Sequence, residues 1–240
     1  MDKHLLPQDA PALNRRQFNG GLVNSGLAVG GLAVGGMALS GAIGAGSSAQ
    51  AQSAVSVDKL MAKGPLPDIT VGNKDAKVTL VEYASMSCPH CANFHKNVYP
   101  KLKKKYIDEG KVLMILREFP LNEIAIAVSM LTRCAGDNDK TVALVDVYYE
   151  HQDKWLVRGN AEKKLFELAK QAGFTRESFQ KCLSDEKLYA NLVKQRDIAS
   201  KDFGVNRTPS FFVNGQPVTG DILNIDTFAG LIDPLLKKSG

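Results

Sequence analysis

The chain holds one tryptophan, four cysteines and four histidines in 240 residues, and its net charge is only +5. These shortages exclude several functions. So mild a positive balance gives no electrostatic footprint for nucleic acid. The densest basic cluster, Lys101, Lys103, Lys104 and Lys105, reads as a solvated helix face. No internal repeat is apparent. Structural zinc takes four ligands, and the one C-x-x-C present has neither a second C-x-x-C nor an H-x-x-x-H to complete a set. The lone Trp155 reads as a packing anchor rather than a ligand platform.

What the chain does have is Cys88-Pro89-His90-Cys91, placed where the apolar run Val78 to Ala84 gives way to a helical pattern. Two thiols at that junction can make and break a disulfide. Cys88 would cap the helix, where unpaired backbone N–H groups and the positive end of the macrodipole favour a thiolate over a thiol. Thiols so placed have pKa values of roughly 3.5 to 7.5, and the lower the value, the better the thiolate leaves and the more oxidising its disulfide. Pro89 suits a first helical turn, which needs no N–H there. His90 can bring positive charge or a donor to the sulfur. The competing chemistry is copper or zinc binding by Cys88 and Cys91 with His90 or His95.

The first fifty residues read as an address. Arg15-Arg16-Gln17-Phe18 opens an uncharged, glycine-rich and mildly apolar stretch from Gly20 to Gly46, which ends in the small-residue cleavage pattern Ala49-Gln50-Ala51. Paired arginines ahead of such a core read as a twin-arginine export signal spanning residues 1–51, cleaved after about Ala51 and delivering the protein to the periplasm. The alternative is a retained membrane anchor. Glycine argues against it, because helix propensity and apolar area are both low. Cleavage leaves about 189 residues with 27 basic and 23 acidic side chains, a net charge of +4 and enough chain for one domain with a sizeable core.

Export also governs the reading of the other cysteines. In an oxidising compartment disulfides persist, and Cys134 and Cys182 have no other free partner, so a structural Cys134–Cys182 disulfide is expected. Each could instead be a small buried hydrophobe.

Residues 52–67 carry Ser, Gly and Pro around a short apolar patch and read as a linker with one helical turn, so folding is expected to start near Asp68. Val78 to Ala84 lacks alternation, as in a central strand covered on both faces. A helix to about Ile107 follows, with a kink expected at Pro100. Lys111 to Phe119 then reads as a second strand, completing a right-handed βαβ unit. From about 122 to 204 only helical patterns appear. Phe211-Phe212-Val213, Asn214-Gly215 and Gln216 to Thr219 form a strong hairpin signal. A helix from about Ile225 closes the chain, bent or ended by Pro234.

This order, an α/β chain with C-x-x-C at its first strand–helix junction, a helical block, and Thr208-Pro209 leading into a hairpin and a last helix, resembles a thioredoxin fold with an inserted helical domain. It is the architecture of the DsbA-like thiol:disulfide oxidoreductases, and the resemblance covers nearly everything from Asp68 to Lys238. It implies that Cys88 is the nucleophile, Cys91 the resolving cysteine, Pro209 a cis-proline facing them, and Glu82 the buried acid beneath the pair. Glu82 can equally be a carboxylate at the core edge, paired with Arg117 or a lysine. Thr208 stands where DsbA carries valine, and a threonine there is shared with isomerases and reductases. The activity implied is introduction of disulfides into unfolded exported proteins with free thiols, with no cofactor and no metal, and with reoxidation by a membrane partner resembling DsbB. The alternatives are an isomerase or reductase of the same fold, or a periplasmic copper- or zinc-binding protein.

Overall fold

The computed structural model describes residues 54–157 and 159–237, so the expected export signal lies outside the described residues. A five-stranded sheet in the order β1-β3-β2-β4-β5 forms the centre. Strands β2 (Val78–Ala84) and β3 (Val112–Glu118) run parallel and are joined through the helix α2 (Pro89–Asn97), whereas β1 (Ile69–Val71), β4 (Ser210–Val213) and β5 (Gln216–Pro217) are antiparallel to their neighbours. All seven residues of β3 are buried, which is why its sequence shows no polar face.

The pleat divides β2 into two functions. Val78 and Leu80 pack with Val112 and Met114 against Phe94 and Phe228, while Val81 and Tyr83 face Ile115, Phe203 and Phe212. By this alternation Glu82 shares the face of Leu80, toward α2. The helix breaks at Val98, just ahead of Pro100, resumes as α3 (Tyr99–Leu102), and ends in a π-helical turn, Lys103–Ile107. The hairpin turn places Asn214 at φ 45° and Gly215 at φ 79°, the pairing that a two-residue type I′ turn demands.

Between β3 and β4 lie α4 (Glu123–Arg133), α5 (Asn138–Glu150), α6 (Gln152–Trp155), α7 (Ala161–Ala169), α8 (Arg176–Leu183) and α9 (Glu186–Phe203). Their shared core includes Tyr148, Tyr149, Trp155, Leu165 and Phe179, and it is continuous with Cys88, Cys91 and Ala92 of the sheet domain. Trp155 is fully buried and donates its indole N–H to the Tyr148 carbonyl at 2.7 Å. The last helix, α10 (Ile225–Lys237), runs on through Pro234 instead of ending there.

The stretch read as a linker carries the helical turn expected of it, and that turn packs onto the domain. Its apolar residues form α1 (Val57–Met61), whose Leu60 is 1% exposed and packs with Ala199 and Phe203. Burying a leucine stabilises by about 1.5–3 kcal/mol, which is enough to anchor one turn. Arg117 Nη1 donates to the Leu60 carbonyl at 2.6 Å, and the Val55 N–H donates to the Gly215 carbonyl at 2.9 Å. A Cβ at Gly215 would lie 2.2 Å from the Val55 carbonyl oxygen, so this close approach requires glycine.

Candidate active site

Cys88 is the N-cap of α2, with extended backbone (φ −84°, ψ 121°), and Pro89 occupies the first helical turn. Both sulfurs are free thiols in the structure. Cys88 is 5% exposed and Cys91, one turn into the helix, is 0% exposed. The Cys88 Sγ lies 3.3 Å from the Thr208 carbonyl oxygen, to which it donates as a thiol. Thr208-Pro209 is a cis peptide, and the Cys88–Thr208 contact sets the loop ahead of β4 against the dithiol.

The two thiols are driven apart electrostatically. The Cys91 thiol donates to the Cys88 sulfur, and the Thr208 side chain and the backbone N–H groups of Cys91 and His90 also favour its thiolate. Together these outweigh burial and lower the Cys88 pKa to about 5. Burial acts on Cys91 in the opposite sense, is reinforced by the hydrogen bond to Cys88 and by the negative charge of Glu82, and holds its pKa well above the ordinary thiol value. The donors at Cys88 are thus peptide groups of the first helical turn together with a neighbouring thiol. His90 is exposed. Its contribution to the Cys88 thiolate is a backbone N–H donor, one of the two routes, charge or donor, that the sequence offered.

Glu82 is 0% exposed, and its partner is neither Arg117 nor a lysine. Pairing sets Glu82 opposite Leu116 and Tyr83 opposite Arg117, so Arg117 emerges on the other face of the sheet. There it meets Asp68 at 2.6 Å and the Tyr83 hydroxyl at 3.1 Å. Glu82 Oε2 instead lies 3.0 Å from His95 Nε2. Burial would lower the His95 pKa, but attraction to Glu82 and contacts with Asp146 outweigh it and raise the value to about 9. His95 is therefore occupied with carboxylates. Among the described residues no group of three or more His, Cys, Asp or Glu side chains is arranged to hold a metal.

Two contributors from the helical domain carry no signal in the sequence. Gln152, buried at the start of α6, donates its side-chain N–H groups to the carbonyls of Met86 (2.7 Å) and Cys88 (3.1 Å), and so ties the insertion to the active-site turn. Tyr149 on α5 stacks on His95 with ring centroids 4.3 Å apart. Far from this cluster, Cys134 and Cys182 form a disulfide with Cα atoms 6.2 Å apart.

A dithiol split into a stabilised thiolate and a buried thiol, at the first helix of a thioredoxin fold, defines a thiol:disulfide oxidoreductase. A thioredoxin family profile matches residues 66–234. The chain is 37% identical over 172 residues to a Rickettsia bellii protein named as a protein-disulfide oxidoreductase, covering 72% of this chain and 66% of that one. It is 31% identical over 177 residues to a Bacillus anthracis protein named as disulfide bond formation protein D, covering 70% of this chain and 78% of the relative. The crystal structure of Wolbachia pipientis alpha-DsbA1 superposes with a TM-score of 0.69 at 30% identity, covering 77% of this chain and 98% of that one. The chain belongs to the thioredoxin family, among its DsbA-type protein-disulfide oxidoreductases.

Proposed function

We propose that the protein is an exported oxidant that donates the Cys88–Cys91 disulfide to unfolded proteins bearing free thiols. The observation that carries this reading is the opposed electrostatics of the pair, with Cys88 lowered to about 5 and Cys91 raised. A substrate thiolate attacks Cys88 Sγ, forming a mixed disulfide as the bond to Cys91 breaks. A second substrate thiolate then attacks the substrate sulfur, and Cys88 departs as a thiolate that the helix N-terminus already stabilises. The reduced enzyme is favoured and the substrate keeps the disulfide. Thr208 and Pro209 present backbone to an extended substrate beside the dithiol, and Glu82 serves the buried thiol. The Cys134–Cys182 bond supports the helical domain outside the redox cycle.

The paired arginines Arg15 and Arg16 support export by the twin-arginine route, with mature protein starting near Gln52 and working in the periplasm. Arg15→Lys with Arg16→Lys should leave uncleaved precursor, and normal export in cells lacking that translocase contradicts the route. Reoxidation is assigned to a membrane partner resembling DsbB. Thr208 favours a second reading, an isomerase or reductase of the same fold. Trapping thiols in living cells separates the two: Cys88 and Cys91 mostly oxidised supports the oxidant, and mostly reduced supports the alternative.

A further inference from the structure

The peptide between Cys88 and Pro89 has no N–H, because proline supplies its nitrogen. Its plane fixes ψ of Cys88, here 121°, and with it the aim of the Cys88 side chain relative to α2. Hydrogen bonds can hold such a peptide only through its oxygen. That oxygen accepts from the Ala92 N–H at 3.1 Å, the first bond of α2, and from the Gln152 side chain, also at 3.1 Å. The same Gln152 nitrogen donates to the Met86 carbonyl at 2.7 Å. Met86 sits inside the turn that the Cys88 N–H closes on the Ser85 carbonyl at 3.0 Å. One carboxamide nitrogen, with its two N–H groups, thus bridges two carbonyls of the active-site turn.

Ser85, Met86, Ser87 and Cys88 are at most 8% exposed, so water is a poor substitute for a lost donor. A buried carbonyl left without one favours a rearranged turn. Gln152 heads α6, a helix of four residues, and Trp155 at the other end is fully buried and donates to the Tyr148 carbonyl. The amide is therefore presented from an anchored part of the insertion. The groups that favour the Cys88 thiolate all act at short range: the Cys91 thiol, the Thr208 side chain, and the backbone N–H groups of Cys91 and His90. Hydrogen bonds weaken steeply with distance and angle, so a small rotation of the peptide after Cys88 weakens those that come from α2. Gln152 is not among these groups. It acts through the peptide that it holds.

We propose that Gln152 is a positioning residue of the redox site: its carboxamide holds the Met86 and Cys88 carbonyls so that the Cys88 sulfur faces the N–H groups of the first turn of α2, and it thereby sets how readily Cys88 leaves. This rests on the reading of Cys88 as the sulfur that substrates attack. No proton or electron passes through Gln152. The helical insertion, through one side chain, adjusts a leaving group that belongs to the sheet domain. Losing the amide weakens the stabilisation of the thiolate, and the disulfide becomes less oxidising.

Two substitutions test this, with the reduced protein titrated by thiolate absorbance and the potential measured by equilibration with glutathione. Gln152→Met keeps the length of the side chain and removes both N–H groups, whereas Gln152→Asn keeps the amide and withdraws it by one methylene. Both should move the Cys88 transition upward from about 5. Both should also shift the glutathione equilibrium by about tenfold toward the oxidised enzyme, which is about 30 mV in a two-electron couple. Emission from Trp155, the one tryptophan of the chain, reports whether α6 stays packed and should match the wild type. Wild-type titration and potential in both variants overturn the proposal. A shift found only where Trp155 emission has changed overturns it too, because loosening of α6 then accounts for the shift. Wild-type protein that lacks the low transition fails the reading of Cys88 itself, and the proposal falls with it.

Discussion

The two cysteine pairs show how placement decides what sulfur does. Cys88 and Cys91 lie one helical turn apart at the start of α2, where peptide N–H groups stabilise one thiolate and the interior destabilises the other. Cys134 caps the end of α4 and bonds to Cys182 in α8, 48 residues away, where no helix N-terminus stabilises either sulfur as a leaving group. The first pair stores an electrostatic difference between its members. The second closes a long loop within the helical domain.

Removing one cysteine of the first pair should have the largest effect. Cys91→Ser should accumulate mixed disulfides with client proteins on non-reducing gels, because Cys88 remains reactive and the attack of Cys91 on the mixed disulfide, the second way of releasing the client, is lost. Cys88→Ser should trap none, and equal trapping by the two variants would erase the difference between these thiols. Replacing Cys134 and Cys182 together by Ala should instead cost about 4 kcal/mol of stability by the loop-closure estimate. Thermal unfolding will register this loss, whereas oxidation of a model dithiol peptide should be largely unchanged. Loss of peptide oxidation would show that the second pair is no bystander.

The buried charge beneath the first pair should appear in stability against pH. The folded His95 pKa, about 9, is above the ordinary histidine value of 6.5. A group raised on folding contributes its full stabilisation below the unfolded pKa and loses it as pH rises through the folded one. Stability should therefore fall by up to about 3 kcal/mol between pH 6.5 and pH 9, read by denaturant unfolding, and Asp146→Asn should flatten that slope. Thr208→Val should raise the Cys88 pKa, because it removes a hydroxyl that favours the thiolate. One hydrogen bond to a charged group is worth roughly 1.5–3 kcal/mol, equivalent to about 30–60 mV in a two-electron couple, and equilibration with glutathione will measure it. His90→Ala should have the smallest effect, below about 30 mV, because that residue acts through its backbone N–H.

Elements with a strong local pattern were readable in the sequence. The β2–α2–β3 unit, the Asn214-Gly215 turn and the helical run after β3 each announce themselves through runs of apolar residues, glycine placement or periodicity. The three-residue strand β1 was not, because its sequence is short and it is held by pairing with β3, and the docking of the turn α1 was not, because it rests on Leu60, Arg117 and distant partners. The same limit applies at the site. Cys88, Cys91, Glu82, Thr208 and Pro209 are marked by a motif or by their place in it. Gln152, Tyr149 and Asp146 lie 55 or more residues beyond Cys91 in ordinary amphipathic helices, and only the docking of α5 and α6 onto α2 brings them to the thiols. Pairing Glu82 with Arg117 failed for a specific reason: a parallel register of Tyr83 to Arg117 puts the two charges on opposite faces.

Titration of the Cys88 thiolate by its ultraviolet absorbance, in reduced protein with Cys91 intact, tests the central claim most directly. A transition near pH 5 that disappears in Cys88→Ser is the result the structure requires. A single transition near the ordinary thiol value of 9 would contradict it, for then neither the helix N-terminus nor the neighbouring thiol would prepare Cys88 to leave.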